Sequence, residues 1–388
     1  MTEQGRDRPD WSAWQTSRPF TLGIEEEAML LDAEEWSLRQ EGQRVWGELS
    51  PDLAERTACE THGSALELAT GVHETVESAT RELAELRTAL ARELEPMGLR
   101  PASAGTHPST SWQETVVSTG ERYAVIYGSM RELARREPTF SLHVHVGVTD
   151  EEAAIRLANR LRGHVPLLLA LSANSPFWQG RDTGLASART PVWKAFPRIG
   201  IPRAFRDYDE YVEAIDLLVR CEAFPDPTFL WWDVRPQPRF GTVEVRVMDA
   251  QTTVEQTVAL VALIQSIARL ELEEGWIAPA LLDHPEILEE NRFIACRDGA
   301  QARLVEPEPE RRVPVREQVD ALVDACRPHA EALGCEDELA GAPGLADHNG
   351  AVHQRELVGS GESLEGLVAR LAEAFPPAQP AVSVADGE

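Results

Sequence analysis

Lysine is almost absent from this chain: Lys194 is the only one in 388 residues, and every other strongly basic side chain is an arginine. A Gly-x-x-x-x-Gly-Lys-[Ser/Thr] loop therefore cannot exist, so Walker-type nucleotide binding is excluded, and any phosphate must be held by arginine, backbone amides or metal ions. Positive charge is in deficit as well, with 37 Lys plus Arg against 65 Asp plus Glu and a formal net charge of -28. Phosphate backbones and anionic lipid surfaces would be repelled, which argues against nucleic acid and membrane partners. The five cysteines, Cys59, Cys221, Cys296, Cys326 and Cys335, are scattered and odd in number, with no Cys-x-x-Cys pair. That pattern points away from a zinc ribbon or a disulfide framework and fits a reducing, cytoplasmic compartment. No stretch reaches about 18 consecutive apolar residues, and Met1 to Phe20 contains no apolar signal core, so neither a membrane span nor a secretion signal is expected.

What remains is ordinary globular material, 43% hydrophobic and 26% charged, in a length that buries a full core. Residues 1–18 are expected to form a flexible leader and 376–388 a flexible tail, with 19–375 as one continuous domain. Strand-like runs occur at 20–31, 56–60, 65–70, 140–148 and 242–248. Helical spacing covers 73–97, 151–171, with Asp150 as its N-cap, and 254–274, stopped by Gly275. The most loop-like interior stretch is 306–312. This order lacks regular βαβ alternation and predicts an α+β fold with a largely antiparallel sheet.

Four pieces carry chemistry. In Gly23-Ile24-Glu25-Glu26-Glu27, strand alternation puts Glu25 and Glu27 on one face, about 7 Å apart, and Glu26 on the other. Such a pair suits hard divalent cations, and it also suits a solvated acidic face. In Cys59 to Thr70, a turn at His62-Gly63 joins two short strands and brings Glu60 near Glu67, which interrupts an apolar run; Glu67 either meets a metal or faces water. In Ser141 to Gly147, His143 and His145 share a face, as metal ligands or as hydrogen-bonded structural histidines. In Thr242 to Asp249, Glu244 and Arg246 share the face opposite three valines, as a salt bridge or as a cation ligand beside a guanidinium clamp. These pieces repeat one design, polar ligands at i and i+2 on separate strands. Without a Walker loop, a nucleotide polyphosphate held through Mg ions on a β-surface is the natural inference.

At this point the residues resemble the glutamate–cysteine ligase type 2 family, or carboxylate–amine ligases, of the glutamine-synthetase-like superfamily. The resemblance rests on 21–27, 66–70, 143–147, the block Asn174 to Gly184, 242–249, and Glu290 to Ala295 with Arg297 and Gly299. It implies a glutamine-synthetase-like catalytic fold, a curved, mainly antiparallel sheet forming a funnel with helices outside. It further implies ATP and Mg2+, or Mn2+, used to phosphorylate a carboxylate, usually the γ-carboxylate of glutamate; an amine such as cysteine then attacks the acyl phosphate. The implied metal ligands are Glu25, Glu27, Glu60, Glu67, His143 and Glu244. Glu244 and Arg246 form the implied catalytic pair, with Arg246 on the transferred phosphate; His145, Arg181, Arg189 and Trp178 contact substrate, and Asn291 and Arg297 join Arg246 at the nucleotide. The loop from Phe177 to Arg189 serves as a lid hinged at Gly180 and Gly184, or as a rigid surface loop. A ligase of the same family joining another carboxylate and amine is the nearest alternative, a metal-dependent amide or phosphoester hydrolase the more distant one. Partners are small molecules, and a homo-oligomer is compatible with all of these readings.

Overall fold

A computed structural model describes residues 8–136 and 138–377. Seven strands form one antiparallel sheet: β1 (Leu22–Asp32), β2 (Thr57–Cys59), β3 (Ala65–Ala69), β4 (Leu99–Ala102), β5 (Ser141–Gly147), β6 (Val234–Gln237) and β7 (Thr242–Asp249). The order is β6-β7-β5-β1-β3-β2, and β4 pairs with the second half of β1 on the edge that β5 occupies in the first half. The sheet is open, with β6 and β2 as its ends, and the α+β expectation holds. The five predicted strands are present to within two residues at each end. Two were not predicted, β4 and β6, because each is only four residues long and contains a proline, Pro101 and Pro236, which reads as a break in a ladder.

Among the helices, those that matter here are α1 (Val76–Leu94), α2 (Glu121–Met130), α3 (Glu151–Leu161), α4 (Val165–Ser172), α5 (Val254–Glu273), α6 (Val315–Leu333) and α7 (Gly350–Gly359). Thr75 starts α1 by accepting from the Ser78 N–H, and a 3-10 turn from Glu95 to Met97 follows its end. The expected single helix over 151–171 is in fact two, α3 and α4. Pro166 cannot donate to the carbonyl four residues back and its ring clashes with it, so the chain breaks between Leu161 and Val165 and restarts with the proline in its first turn. Asp150 caps α3 as anticipated, and Gly275, at φ +67°, follows α5. The stretch 306–312 spans the turn, residues 307–310, and the adjoining strand ends of a hairpin between Arg303–Glu306 and Arg311–Pro314. None of the described helices is long and apolar enough to cross a membrane.

Of the stretch expected as a flexible leader, residues 1–7 lie outside the described residues. From Arg8 onward it packs: Trp11 and Trp14 meet Tyr211 and Tyr208 edge-on at 6.2 and 5.9 Å, and the Gln15 N–H donates to the Pro238 carbonyl. Local pattern does not announce this, since the aromatic partners lie about 200 residues away. Of the expected tail, only Pro376 and Pro377 fall within the described residues.

One face of the sheet is the core. Leu22, Ile24, Ala28 and Leu30 of β1, the valines of β5 and β7, and Leu66 and Leu68 pack with the apolar stripes of α1, α3 and α5. Glu26 points into this layer, where Arg87 grips it through two hydrogen bonds of 2.7 and 2.6 Å. Both side chains are fully buried, and Arg87 also donates to the carbonyls of Gln251, Thr252 and Phe375. Arg87→Ala is expected to cost about 3–5 kcal/mol, because a buried carboxylate is left without its partner. The check is a urea midpoint that falls at unchanged m-value; a midpoint within error of wild type would contradict the assignment.

Candidate active site

The opposite face is polar, and strand register builds it. Residues directly opposed in an antiparallel pair project to the same side. The opposed pairs are Glu27 with Glu67, Glu25 with His143, His145 with Glu244, and Glu244 with Arg235. β2 opposes Ala58 to Glu67 and delivers Glu60 just beyond its end. Two ligand groups result. Glu25, His143 and Glu244 form one and Glu27, Glu60 and Glu67 the other, each with its ligand atoms within 4.8 Å of one another.

A cavity of about 380 Å³ opens over the second group. Its floor is Glu27, Glu60, Glu67 and His143, guanidinium groups enter from Arg189, Arg235 and Arg246, and aromatic rings of Tyr123, Trp193, Phe196 and Trp231 form much of the wall. A second, more apolar cavity of about 420 Å³ lies toward the other end of β1, lined by Glu25, His145, Val72, Phe240 and Thr242. Glu25 and His145 on its lining contact or oppose His143 and Glu244, so the first ligand group lies between the two spaces.

The two groups differ in electrostatics. Burial, then repulsion from Glu60, pushes the Glu27 carboxyl up to about 8. Burial and the carboxylates of Glu25, Glu60 and Glu27 push Glu67 well above the usual range, and burial raises Glu60 too. In the other group burial is outweighed: Arg235 and Arg246 hold Glu244 well below the usual range, and His145 and His143 hold Glu25 down. Arg235 donates to Glu244 Oε2 at 2.8 Å beside Gln237, while Arg246 pairs with Oε1. Burial and Arg246 push His143 down to about 4, which leaves it neutral with a lone pair to offer. These donors fit hard divalent cations, because three crowded carboxylates with raised pKa values are short of positive charge. His145 Nε2, Arg189 Nε and Arg246 Nε are buried without hydrogen-bond partners, as expected where a ligand supplies them.

The family model described as glutamate–cysteine ligase family 2 matches residues 21–374. The chain belongs to this family. A Rubrobacter xylanophilus protein, provisionally named glutamate–cysteine ligase 2-1, is 42% identical over 360 residues, covering 92% of this chain and 96% of the relative. A Thermobifida fusca protein with the same provisional family name is 36% identical over 381 residues, covering 96% and 94%. Among solved structures, a Francisella tularensis glutamate–cysteine ligase in complex with AMP superposes with a TM-score of 0.67 at 13% identity, covering 95% of this chain and 91% of that one. A Pasteurella multocida bifunctional glutathione synthetase gives 0.67 at 14%, covering 92% and 52%. The structural likenesses show the shared fold. Membership places this chain among the carboxylate–amine ligases.

Within this ligase family member, the residues expected as metal ligands converge as described, and Arg189, Arg246 and His145 stand beside them. Four expected residues do not line either cavity. Arg181 is exposed on a short hairpin of Phe177–Trp178 with Arg181–Asp182, and Trp178 pairs with it there. Arg355 contacts that hairpin by donating to Asp182 at 2.8 Å and to the Leu185 carbonyl, the arrangement of the surface-loop alternative. Asn291 spends its amide on both backbone groups of Val305, and Arg297 pairs with its neighbour Asp298 at the surface. The block Asn174 to Gly184 serves instead through its first residues, Asn174 and Ser175, which donate to Asp249; Arg189, beyond the block, donates to the Val247 carbonyl at 3.1 Å and lies 3.8 Å from the same carboxylate. Arg181→Ala is therefore expected to leave kcat/KM within about twofold, since a residue outside the site removes no transition-state contact; a tenfold loss would return Arg181 to the site.

Arg235, Arg122 and Tyr123 were missed. Arg235 had a signal, because reading Val234–Gln237 as a strand turning back onto β7 puts Arg235 opposite Glu244. Arg122 and Tyr123 had none. They reach the cavity from α2, where Arg122 stacks over Phe229 at 4.8 Å and donates to Thr228, and the Tyr123 hydroxyl donates to the Cys59 carbonyl.

Proposed function

We propose that this protein is an ATP-dependent γ-glutamyl ligase, in which Mg2+ and ATP activate the γ-carboxylate of glutamate as an acyl phosphate and an amine, cysteine by default, displaces the phosphate to form an amide. The observation that carries this reading is the pair of ligand groups sharing one sheet face between two cavities, with Arg235 and Arg246 beside them. A phosphoryl donor and a carboxylate acceptor need such a meeting point. The apolar cavity beside Val72 and Phe240 suits the base and ribose of the nucleotide, and the cavity over Glu27 suits the carboxylate and amine substrates. Glu25, His143 and Glu244, and Glu27, Glu60 and Glu67, would hold the divalent ions, whose chemistry is charge neutralisation on the phosphate oxygens.

The chain's own residues do the rest. Arg246 and Arg235 place positive charge where the transferred phosphoryl group becomes most negative. Arg189, anchored on the Val247 carbonyl, and Arg122, propped on Phe229, offer guanidinium groups to substrate carboxylates. Burial opposes protonation of His145, but Glu25 and Glu244 outweigh it and raise its pKa, so the ring on the nucleotide side holds a proton more tightly than a free imidazole does. The aromatic wall excludes water that would hydrolyse an acyl phosphate.

Incubation with ATP, Mg2+, glutamate and a panel of amines should release ADP, and hydroxylamine should trap the activated carboxylate as a hydroxamate. Phosphate or amide hydrolysis without nucleotide would replace this reading with the hydrolase.

A further inference from the structure

Helix α7 has an inner and an outer face with different chemistry. On the inner side, Asn349 caps the helix by accepting from the Val352 N–H at 3.1 Å and donates to the Ala170 carbonyl at 2.9 Å. Gln354 donates to the backbone and side-chain oxygens of Asn174 at 3.0 and 2.7 Å. The Asn174 N–H in turn donates to Asp249 at 2.8 Å, and Asp249 is the carboxylate beside Arg189. Helix α7 thus buttresses the wall of the main cavity from behind.

The outer side carries two imidazoles and a carboxylate. His348, just before the cap, lies with its Nε2 2.7 Å from Glu356 Oε2, and its ring meets that of His353 edge-on at 5.4 Å. One ligand atom from each of the three lies within 4.8 Å of the others, and all three side chains are exposed. Among the described residues, His353 makes no hydrogen bond through its ring.

We propose that His348, His353 and Glu356 form a surface site for a borderline divalent transition-metal ion of the Zn2+ class, separate from the carboxylate groups of the main cavity. Two imidazoles and one carboxylate match the ligand preference of Zn2+, Ni2+ and Cu2+, whereas Mg2+ and Ca2+ prefer all-oxygen sets. Bonds of about 2.0–2.2 Å bring tetrahedral ligands roughly 3.4 Å apart. The His348 and Glu356 side chains are 48% and 63% exposed, which leaves them room to rotate to that spacing. The bound ion would clip the residue before the cap to the first and second turns of α7, and so stiffen the cap that holds Asn349 and Gln354 in place.

The test uses the full chain without an affinity tag, stripped with a chelator and then held in excess Mg2+ so that the carboxylate groups of the cavity are occupied. Calorimetric titration with Zn2+ should show one ion per chain, and Co2+ should give visible absorption of a low-coordinate site. His353→Ala and His348→Ala should each weaken binding by ~10-fold or more, with circular dichroism and turnover in Mg2+ unchanged. Glu67→Gln, which alters only the cavity, should leave Zn2+ binding intact. Zn2+ affinity unchanged in both histidine variants, or no binding tighter than ~1 mM in the wild type, would overturn the assignment.

Discussion

Glu67→Gln is expected to lower kcat/KM by ~10³-fold or more while raising the melting temperature of the chelator-treated protein. The two effects share one cause. Glu67 sits among Glu25, Glu27 and Glu60, all pushing its carboxyl toward the neutral form. An amide of the same volume removes that repulsion, so the metal-free fold gains, and it removes a negative ligand, so the loaded enzyme loses. Glu244→Gln should lose activity too but with the opposite effect on stability, because Glu244 is the counter-charge of Arg235 and Arg246 and its loss leaves two guanidinium groups buried together. Melting curves in chelator and ADP-coupled rates in Mg2+ separate the two variants. Retention of a tenth of the activity by Glu67→Gln, a barrier change of only about 1.4 kcal/mol, would remove Glu67 from the machinery.

The chelator-treated protein is expected to lose stability as pH rises from about 4.5 to about 8, and divalent cations are expected to abolish that loss. The Glu27 carboxyl is lifted from 4.5 to about 8 in the folded state, by burial and by Glu60, and Glu60 and Glu67 are raised as well. A carboxyl raised on folding binds its proton more tightly in the native state. Its contribution is fully present below the unfolded pKa and is lost as pH climbs through the folded one. Glu25 and Glu244 are held down instead, so theirs is present above about 4.5 and is lost only in stronger acid. A cation that replaces the proton flattens the alkaline limb, so stabilisation by Mg2+ should grow between pH 5 and 8, on the order of a few kcal/mol. Equal Mg2+ stabilisation at both ends would mean that the three carboxylates do not share an ion.

How much of the site was readable beforehand follows from the length scale of each signal. Alternation within a strand is local, so the pairs Glu25 with Glu27, His143 with His145, and Glu244 with Arg246 were visible at i and i+2 before any fold was known. Glu60 and Glu67 required only a hairpin at His62-Gly63, also a short-range feature. Arg235 required a four-residue strand containing Pro236, and Arg122 a helix that reaches the cavity by packing, so both escaped. Asn291, Arg297, Arg181 and Trp178 entered through resemblance in blocks of sequence. Such blocks show that residues matter, yet a residue can serve by clamping Val305, as Asn291 does, without touching the cavity.

The amino-acid order by itself determined the α+β class, which residues of each strand share a face, and the exclusion of a lysine-based phosphate loop, because these depend on period, composition and nearest neighbours. Only the tertiary structure decided that two carboxylate groups and not one arise, with opposite pKa shifts. That outcome depends on strand order and register, which bring Arg235 and Arg246 to Glu244 and leave Glu27, Glu60 and Glu67 without an equal counter-charge. Coulombic interactions at a few ångströms in a buried site are set by which strands are neighbours, and paired residues in this sheet lie up to 124 positions apart in the chain, as Leu22 and Val146 do.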